Sequence, residues 1–204
     1  CRGAYHQIRR SGLAYALHLW CATSVADALG ALSPAGSVSS LALRHEIPRW
    51  VTRDVNAAPA LSSVRQWRPD LLGSAFFNQR LGAPIISTPS AGSVNIHPSL
   101  LPAYPGLHTH RRALAAGDRQ HGATVHFVTP ELDGGPRVLQ ARVPIEPNDD
   151  ENSLSARVQA AEHIIYPMAV RWFCGGRLAF KDDSAWLDGI CLREPVEWTE
   201  GGRN

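Results

Sequence analysis

The sequence predicts an α/β domain built on a doubly wound, mostly parallel sheet with antiparallel additions toward its C-terminus. Three observations predict it. Strand-like apolar runs alternate with helical segments over roughly the first half of the chain, the pattern of parallel strands joined by crossover helices. A length of 204 residues suffices to bury one real core. Ala123 to Val128 and Val138 to Val143 are strand-like runs around a glycine-containing turn and read as an antiparallel pair. The domain is read as residues 1–192, with 193–204 a flexible tail.

The elements follow in order. Ala14 to Trp20 places Tyr15, Leu17 and Leu19 on one face at strand period, Ala26 to Leu32 reads as a short helix, and Pro34 to Ser37 as a loop. Glu46 to Val51 reads as a short edge strand because of Pro48. Leu61 to Trp67 is a helix ending before Pro69, and Asp70 to Phe77 the next strand. Val94 to Ile96 is a buried strand stopped by Pro98. Arg112 to Ala116 is a short helix closed by Gly117.

A long helix from about Ser153 to Phe173 begins after Asp149, Asp150 and Glu151, whose negative charge suits the positive end of its dipole. Its apolar stripe is Leu154, Val158, Ala161, Ile165 and Met168, and Pro167 is expected to kink it. Arg177 to Leu192 reads as a hairpin with Trp186 packed inward, and Glu194 to Asn204 as a frayed end.

Composition excludes several classes. Hydrophobic content of 44% and charged content of 19% are globular values, and a net charge of +2 is too small to argue for nucleic acid or an anionic membrane. Lys181 is the only lysine, which removes a Schiff-base or phosphate-loop lysine elsewhere. Cys1, Cys21, Cys174 and Cys191 fit neither a zinc nor a disulfide framework and read as reduced thiols in a cytoplasmic protein. No apolar run approaches the ~20 residues of a membrane span, and no secretion signal is present.

The chemistry concentrates after the Val94–Ile96 strand. Side chains alternate along a strand, so Asn95 and His97 project together from the face opposite Val94 and Ile96, at the carboxyl end where open α/β sheets bind ligands. Asp133-Gly134-Gly135 is a tight turn able to return a carboxylate to the same edge. An amide, an imidazole and a carboxylate in reach of one another can polarise a carbonyl, hold its oxyanion and move a proton. Each residue also has a plainer reading: Asn95 as a strand-end cap, His97 as a packed histidine, Asp133 as a turn residue. His126 reads as a core histidine without a role. His97, His108, His110, His121 and Asp133 are metal-ligating types, but no H-E-x-x-H spacing occurs and no metal is expected. Serine-hydrolase, phosphate-loop and dinucleotide signatures are absent.

Asn95-Ile96-His97-Pro98-Ser99-Leu100-Leu101-Pro102, Pro105-Gly106-Leu107-His108-Thr109-His110 and Glu131-Leu132-Asp133-Gly134-Gly135-Pro136 together resemble the folate-dependent formyltransferases, in their glycinamide ribonucleotide branch. The resemblance continues through Ser155 to Gln159, Glu162 to Pro167 and Ala185 to Gly189. It is faint before Asp70, where Ala26 to Gly30 fits a helix start.

It implies the formyltransferase fold and transfer of a formyl group from 10-formyltetrahydrofolate, as co-substrate and without metal, to the amine of glycinamide ribonucleotide in purine biosynthesis. It implies Asn95, His97 and Asp133 as catalytic residues, and His108 near the reacting centre. Folate would contact Gln79, Arg80, Leu81, Gly82, Thr129, Glu131, Leu132 and Asp133, and the nucleotide would contact Gln159 and Glu162. Small-molecule partners, no nucleic acid or membrane, and a monomer or weak homodimer are expected.

Departures from the family pattern are Phe77 for a glycine, Asn78 and Gln79 for apolar residues, and Pro130, which removes a backbone donor. The family's opening strand and its phosphate-cradling glycine-serine-asparagine turn have no counterpart before Tyr15, so the expectation is a truncated start or a rebuilt phosphate subsite. Rival readings are a formyltetrahydrofolate hydrolase, a methionyl-tRNA formyltransferase, which would need an additional basic C-terminal domain that a net charge of +2 does not supply, and a truncated, inactive folate-binding remnant.

Overall fold

In a computed structural model of the protein, residues 38–77 and 79–199 are described. The strand at Ala14–Trp20, the helix at Ala26–Leu32 and the loop at Pro34–Ser37 lie outside the described residues. The chain divides after Ser93 into two units.

In the first unit, α1 (Val38–Arg44) precedes an irregular segment, where Glu46 to Val51 forms no strand. The correction has a local cause: Glu46 sits at φ 54°, and Pro48 supplies no N–H to a ladder. The helix expected from Leu61 is α2 (Ala58–Trp67), which starts earlier because a proline fits its first turn. β1 (Leu72–Ser74) is shorter than the run from Asp70 to Phe77, and α3 (Ala83–Ile86) follows Gly82. Val64, Leu72 and Ile85 form a core against which Leu61 and Leu81 pack.

In the second unit, β2 (Ser93–His97), β3 (Gln120–Phe127) and β4 (Arg137–Pro144) pair antiparallel. The pairing places Asn95 opposite His126 and His97 opposite Thr124. The β3–β4 register slips between Val125 and His126. Between β2 and β3 lies α4 (Thr109–Ala116), closed by Gly117 at φ 71° as expected. α5 (Glu151–Cys174) packs across β3 and β4. Its first turn is a capping box in which Ser153 N donates to Asp150 Oδ1 (2.7 Å) and Asp150 N donates to Ser153 Oγ (3.0 Å). Arg157 ties that turn to the end of β4 by pairing with Asp149 (2.8 Å) and donating to the Pro144 carbonyl (2.9 Å).

The helix continues through Pro167. Its buried stripe is Leu154, Val158, Ala161, Glu162, Ile165, Ala169 and Trp172, so Met168 is only half-buried and a carboxyl lies among the apolar positions.

β5 (Leu178–Lys181), β6 (Ser184–Leu187) and β7 (Ile190–Cys191) form an antiparallel sheet, with Phe180 packed on Phe127 at 4.9 Å between rings. Ala185, rather than Trp186, is fully buried; the Trp186 indole is half-buried and donates to Lys181 O (3.1 Å). The frayed end expected from Glu194 is corrected for residues 194–199, its described part. β8 (Val196–Trp198) pairs in parallel with β4, and Glu194 and Glu197 receive hydrogen bonds from Arg137 (3.1 Å) and Arg142 (3.0 Å). The open edge of β4 offered unpaired backbone groups, and the arginines supplied matching charge. Cys174 and Cys191 are free.

Candidate active site

The site is built on the end of β2. Val94 and Ile96 enter the core, which leaves Asn95 and His97 on the other face, and the strand ends at His97 as Pro98 dictates. His97 is itself buried, with 5% of its surface exposed. Its Nε2–H donates to the Tyr104 carbonyl (2.9 Å); a carbonyl only accepts, so this nitrogen carries the hydrogen. Nδ1 is then the nitrogen turned to Asp133, whose Oδ2 lies 3.5 Å away.

Asp133 arrives from the turn after β3. It takes a left-handed backbone (φ 51°), and its Oδ2 accepts from Gly106 N (2.8 Å). The turn needs Gly135, because a Cβ there would sit 1.9 Å from the Phe127 carbonyl oxygen. Only a bare Cα allows that approach.

His126 joins this group. Its Nδ1–H donates to the Phe127 carbonyl (2.9 Å), which leaves Nε2 as an acceptor, and Asn95 Nδ2 donates to it (3.2 Å). That chain decides the amide orientation: the nitrogen of Asn95 faces His126, and its second hydrogen is available to a ligand. Burial holds the His126 pKa below its usual value, consistent with a neutral ring that accepts. Asp133 Oδ1 stands 3.8 Å from His126 Nε2, beyond hydrogen-bond range. Sequence reading assigned His126 no role. The signal that could have found it is positional, since an antiparallel register placing Asn95 opposite His126 sets both on one face.

The loop after β2 rests on a buried polar floor. Thr124 Oγ1 donates to Ser99 O (2.6 Å) and accepts from Leu101 N (3.1 Å), while Gln140 Nε2 and Arg137 Nη1 both reach Leu101 O (2.7 and 2.9 Å). Nearby, Thr109 Oγ1, His110 Nδ1 and His121 Nε2 are buried without hydrogen-bond partners. Burial lowers the pKa of His110 and pushes that of His121 down to about 4, so both rings are neutral at pH 7.

The structure therefore brings Asn95, His97 and Asp133 together and adds His126. His108 is exposed at the start of α4 with φ 58° and makes no hydrogen bond to the group. Thr129 is half-buried beside Gly135, and Glu131 and Leu132 are exposed, Leu132 by 56%. Gln159 is exposed on α5 and Glu162 buried one turn on, its carboxyl pKa pushed up to about 7 by burial.

In the first unit the Gln79 amide is engaged with Arg53 O (3.0 Å) and Val55 N (3.1 Å). Gly82 N donates to Asn56 Oδ1 (2.6 Å), Asn56 Nδ2 donates to Arg80 O (2.9 Å), and Leu81 packs on that unit's core. Among the described residues no group of three or more His, Cys, Asp or Glu side chains is disposed to hold a metal ion, and no helix is long and apolar enough to cross a membrane.

The family model described as Formyl transferase matches residues 24–170. The chain belongs to the formyl transferase family. It is 48% identical over 138 residues to the phosphoribosylglycinamide formyltransferase of Escherichia coli, covering 68% of this chain and 65% of that protein. It is 51% identical over 116 residues to the Haemophilus influenzae protein of the same name, covering 57% and 51%. The chain thus spans less than two thirds of either relative. The solved phosphoribosylglycinamide formyltransferase of Coxiella burnetii superposes with a TM-score of 0.71 at 37% identity, covering 82% of each chain. The α/β formyltransferase fold expected from the sequence is the observed one, and the family membership places the Asn95, His97 and Asp133 motifs inside the matched region.

Proposed function

We propose that the protein transfers a formyl group from 10-formyltetrahydrofolate to the amine of glycinamide ribonucleotide. The observation that carries this reading is the convergence of Asn95, His97 and Asp133 on one face, with His97 Nδ1 3.5 Å from Asp133 Oδ2. The relatives' names point to phosphoribosylglycinamide as the formyl acceptor, and the resemblance to the folate-dependent formyltransferases implies 10-formyltetrahydrofolate as the donor.

In this reading the amine nitrogen attacks the formyl carbon, and the carbonyl electron pair moves onto oxygen. The free hydrogen of Asn95 Nδ2 and a hydrogen on His97 Nδ1 hold that oxyanion. Asp133 supports the charged imidazole by its proximity and orders a water that carries the proton from the attacking amine to the departing folate nitrogen. The carbon–nitrogen bond to folate then breaks, its electron pair stays on the folate nitrogen, and the carbonyl reforms on the new amide. No covalent enzyme intermediate or metal is required.

Folate contacts are assigned to Gln79, Arg80, Leu81 and Gly82 and to Thr129, Glu131, Leu132 and Asp133. His108 is assigned near the reacting centre, and Gln159 and Glu162 to the ribose. The proposal places the enzyme in the cytoplasm, as a monomer or weak homodimer acting on small molecules alone.

The test follows tetrahydrofolate release from 10-formyltetrahydrofolate with and without glycinamide ribonucleotide. Release that needs the ribonucleotide supports the transferase. Release without it identifies a hydrolase, and folate binding without release identifies an inactive binder.

A further inference from the structure

The loop between Ala103 and Gly106 is held at every residue. Ser99 Oγ donates to Ala103 O (2.6 Å), His97 Nε2 to Tyr104 O (2.9 Å) and Arg112 Nη1 to Pro105 O (2.7 Å), while Gly106 N donates to Asp133 Oδ2 (2.8 Å). One short run of backbone thus touches both His97 and Asp133.

Tyr104 is the unusual member. It takes φ 55°, a conformation that a bulky residue rarely adopts unless its surroundings impose it. Two contacts impose it here. The phenol donates to Asp118 Oδ2 (2.6 Å), and the Arg112 guanidinium lies 5.2 Å from the ring centroid.

Asp118 is itself fixed by the end of α4. Gly117 N bonds to Leu114 O (3.1 Å) and Asp118 N to Ala113 O (3.2 Å), the pair that closes a helix around a left-handed glycine. A carboxylate at the negative end of a helix is locally unfavourable. A residue that breaks a local rule while gripping a strained neighbour points to a purpose beyond the helix.

We propose that Tyr104 and Asp118 are positioning residues: their hydrogen bond holds the 103–106 loop so that the Tyr104 carbonyl orients His97 and the Gly106 amide orients Asp133. The phenol pKa is raised, chiefly by that hydrogen bond, so the donor persists across the neutral range. The consequence is rotational. With Nε2 tied to Tyr104 O, the His97 ring presents Nδ1 to the reacting face; released, it can turn either edge.

This inference rests on His97 being catalytic as proposed above, and its test separates the two. The full chain is labelled with ¹⁵N-histidine, and the His97 resonance is identified by its loss in His97→Asn. The parent is expected to show a hydrogen-bonded, slowly exchanging Nε2–H. Tyr104→Phe and Asp118→Ala should lose it, and Asp118→Asn, whose amide oxygen still accepts from the phenol, should retain it.

In turnover, Tyr104→Phe should lower kcat roughly tenfold, less than the ~10²-fold a 1 Å misplacement can cost, with KM for both substrates and the melting temperature nearly unchanged. An unchanged Nε2–H signal in Tyr104→Phe, or a loss of kcat that merely tracks a loss of melting temperature, overturns the proposal. A parent chain without turnover removes the formyl-transfer reading and leaves the Nε2–H signal to decide the positioning.

Discussion

Asn95 Nδ2 and His126 Nε2 stand 3.2 Å apart, and because His126 spends its Nδ1–H on the Phe127 carbonyl, the bond between them has one allowed direction. The amide cannot flip without facing two acceptors. His126→Phe keeps the ring's bulk and removes that control, so kcat is expected to fall about tenfold and stability by roughly 1–2 kcal/mol, from the unpaired Phe127 carbonyl. Single-turnover rates together with urea unfolding would check it. An unchanged rate would show that the orientation of Asn95 is set elsewhere.

Removing Asn95 or His97 deletes a donor to the proposed oxyanion. Asn95→Ala and His97→Ala should each lower kcat on the order of 10²–10³, with circular dichroism and melting close to the parent. Asp133→Asn keeps the turn's shape and loses the carboxylate that orders the proton-carrying water. Near-normal turnover by Asp133→Asn would remove its relay role.

Gly135→Ala drives a methyl into the Phe127 carbonyl oxygen. That oxygen also anchors His126, so the strain reaches the Asn95–His126 bond as well as the Asp133 turn. The variant is expected to lose about 2–4 kcal/mol of stability and most of its turnover. A melting temperature equal to the parent's would contradict the packing described here.

Glu162 and His121 oppose each other in pH dependence. The Glu162 carboxyl titrates at about 7 when folded against 4.5 unfolded, so between those values the folded state binds the extra proton and stability falls as pH rises. The His121 ring titrates at about 4 when folded against 6.5 unfolded, so there the unfolded state binds the extra proton and stability rises with pH. From pH 4.5 to 6.5 the two slopes, each up to roughly 1.4 kcal/mol per pH unit, offset one another. In Glu162→Gln, stability should therefore climb with pH over that window more steeply than in the parent, and in His121→Phe it should drop. Denaturant midpoints at several pH values would read both slopes, and parallel curves would contradict the burial of these groups.

Local chemistry made the second unit legible. Val94 and Ile96 alternate, Gly117 closes α4, and Asp150 caps α5, each an interaction within a few residues of chain. The convergence of Asn95, His97 and Asp133 was also readable, because a strand end and a glycine turn state where their side chains go. His126 was not, since its role depends on the register of β3 against β2, which sets it opposite Asn95. β8 was missed for a similar reason: Val196 to Trp198 is too short to signal a strand by itself and is held by Arg137 and Arg142 of another element. At Glu46 to Val51 the expected edge strand does not form, because Pro48 and a left-handed Glu46 oppose it. Glu162 at a buried position could not be read from periodicity, which assigns carboxylates to the wet face of a helix.

Every side chain of the reacting centre comes from one uninterrupted run of chain, Asn95 to Asp133, folded back on itself by the antiparallel pairing of β2 with β3 and one turn. Its contacts close loops of a few tens of residues, and the entropy of closing such a loop grows only logarithmically with its length. Insertions or sequence drift outside the run can therefore alter what the protein holds without disturbing the geometry that reacts. Heredity can treat the run as a cassette: the chemistry is kept or lost as a block, together with the folate contacts proposed at Thr129, Glu131 and Leu132, while the contacts proposed at Gln159 and Glu162 are free to diverge around it.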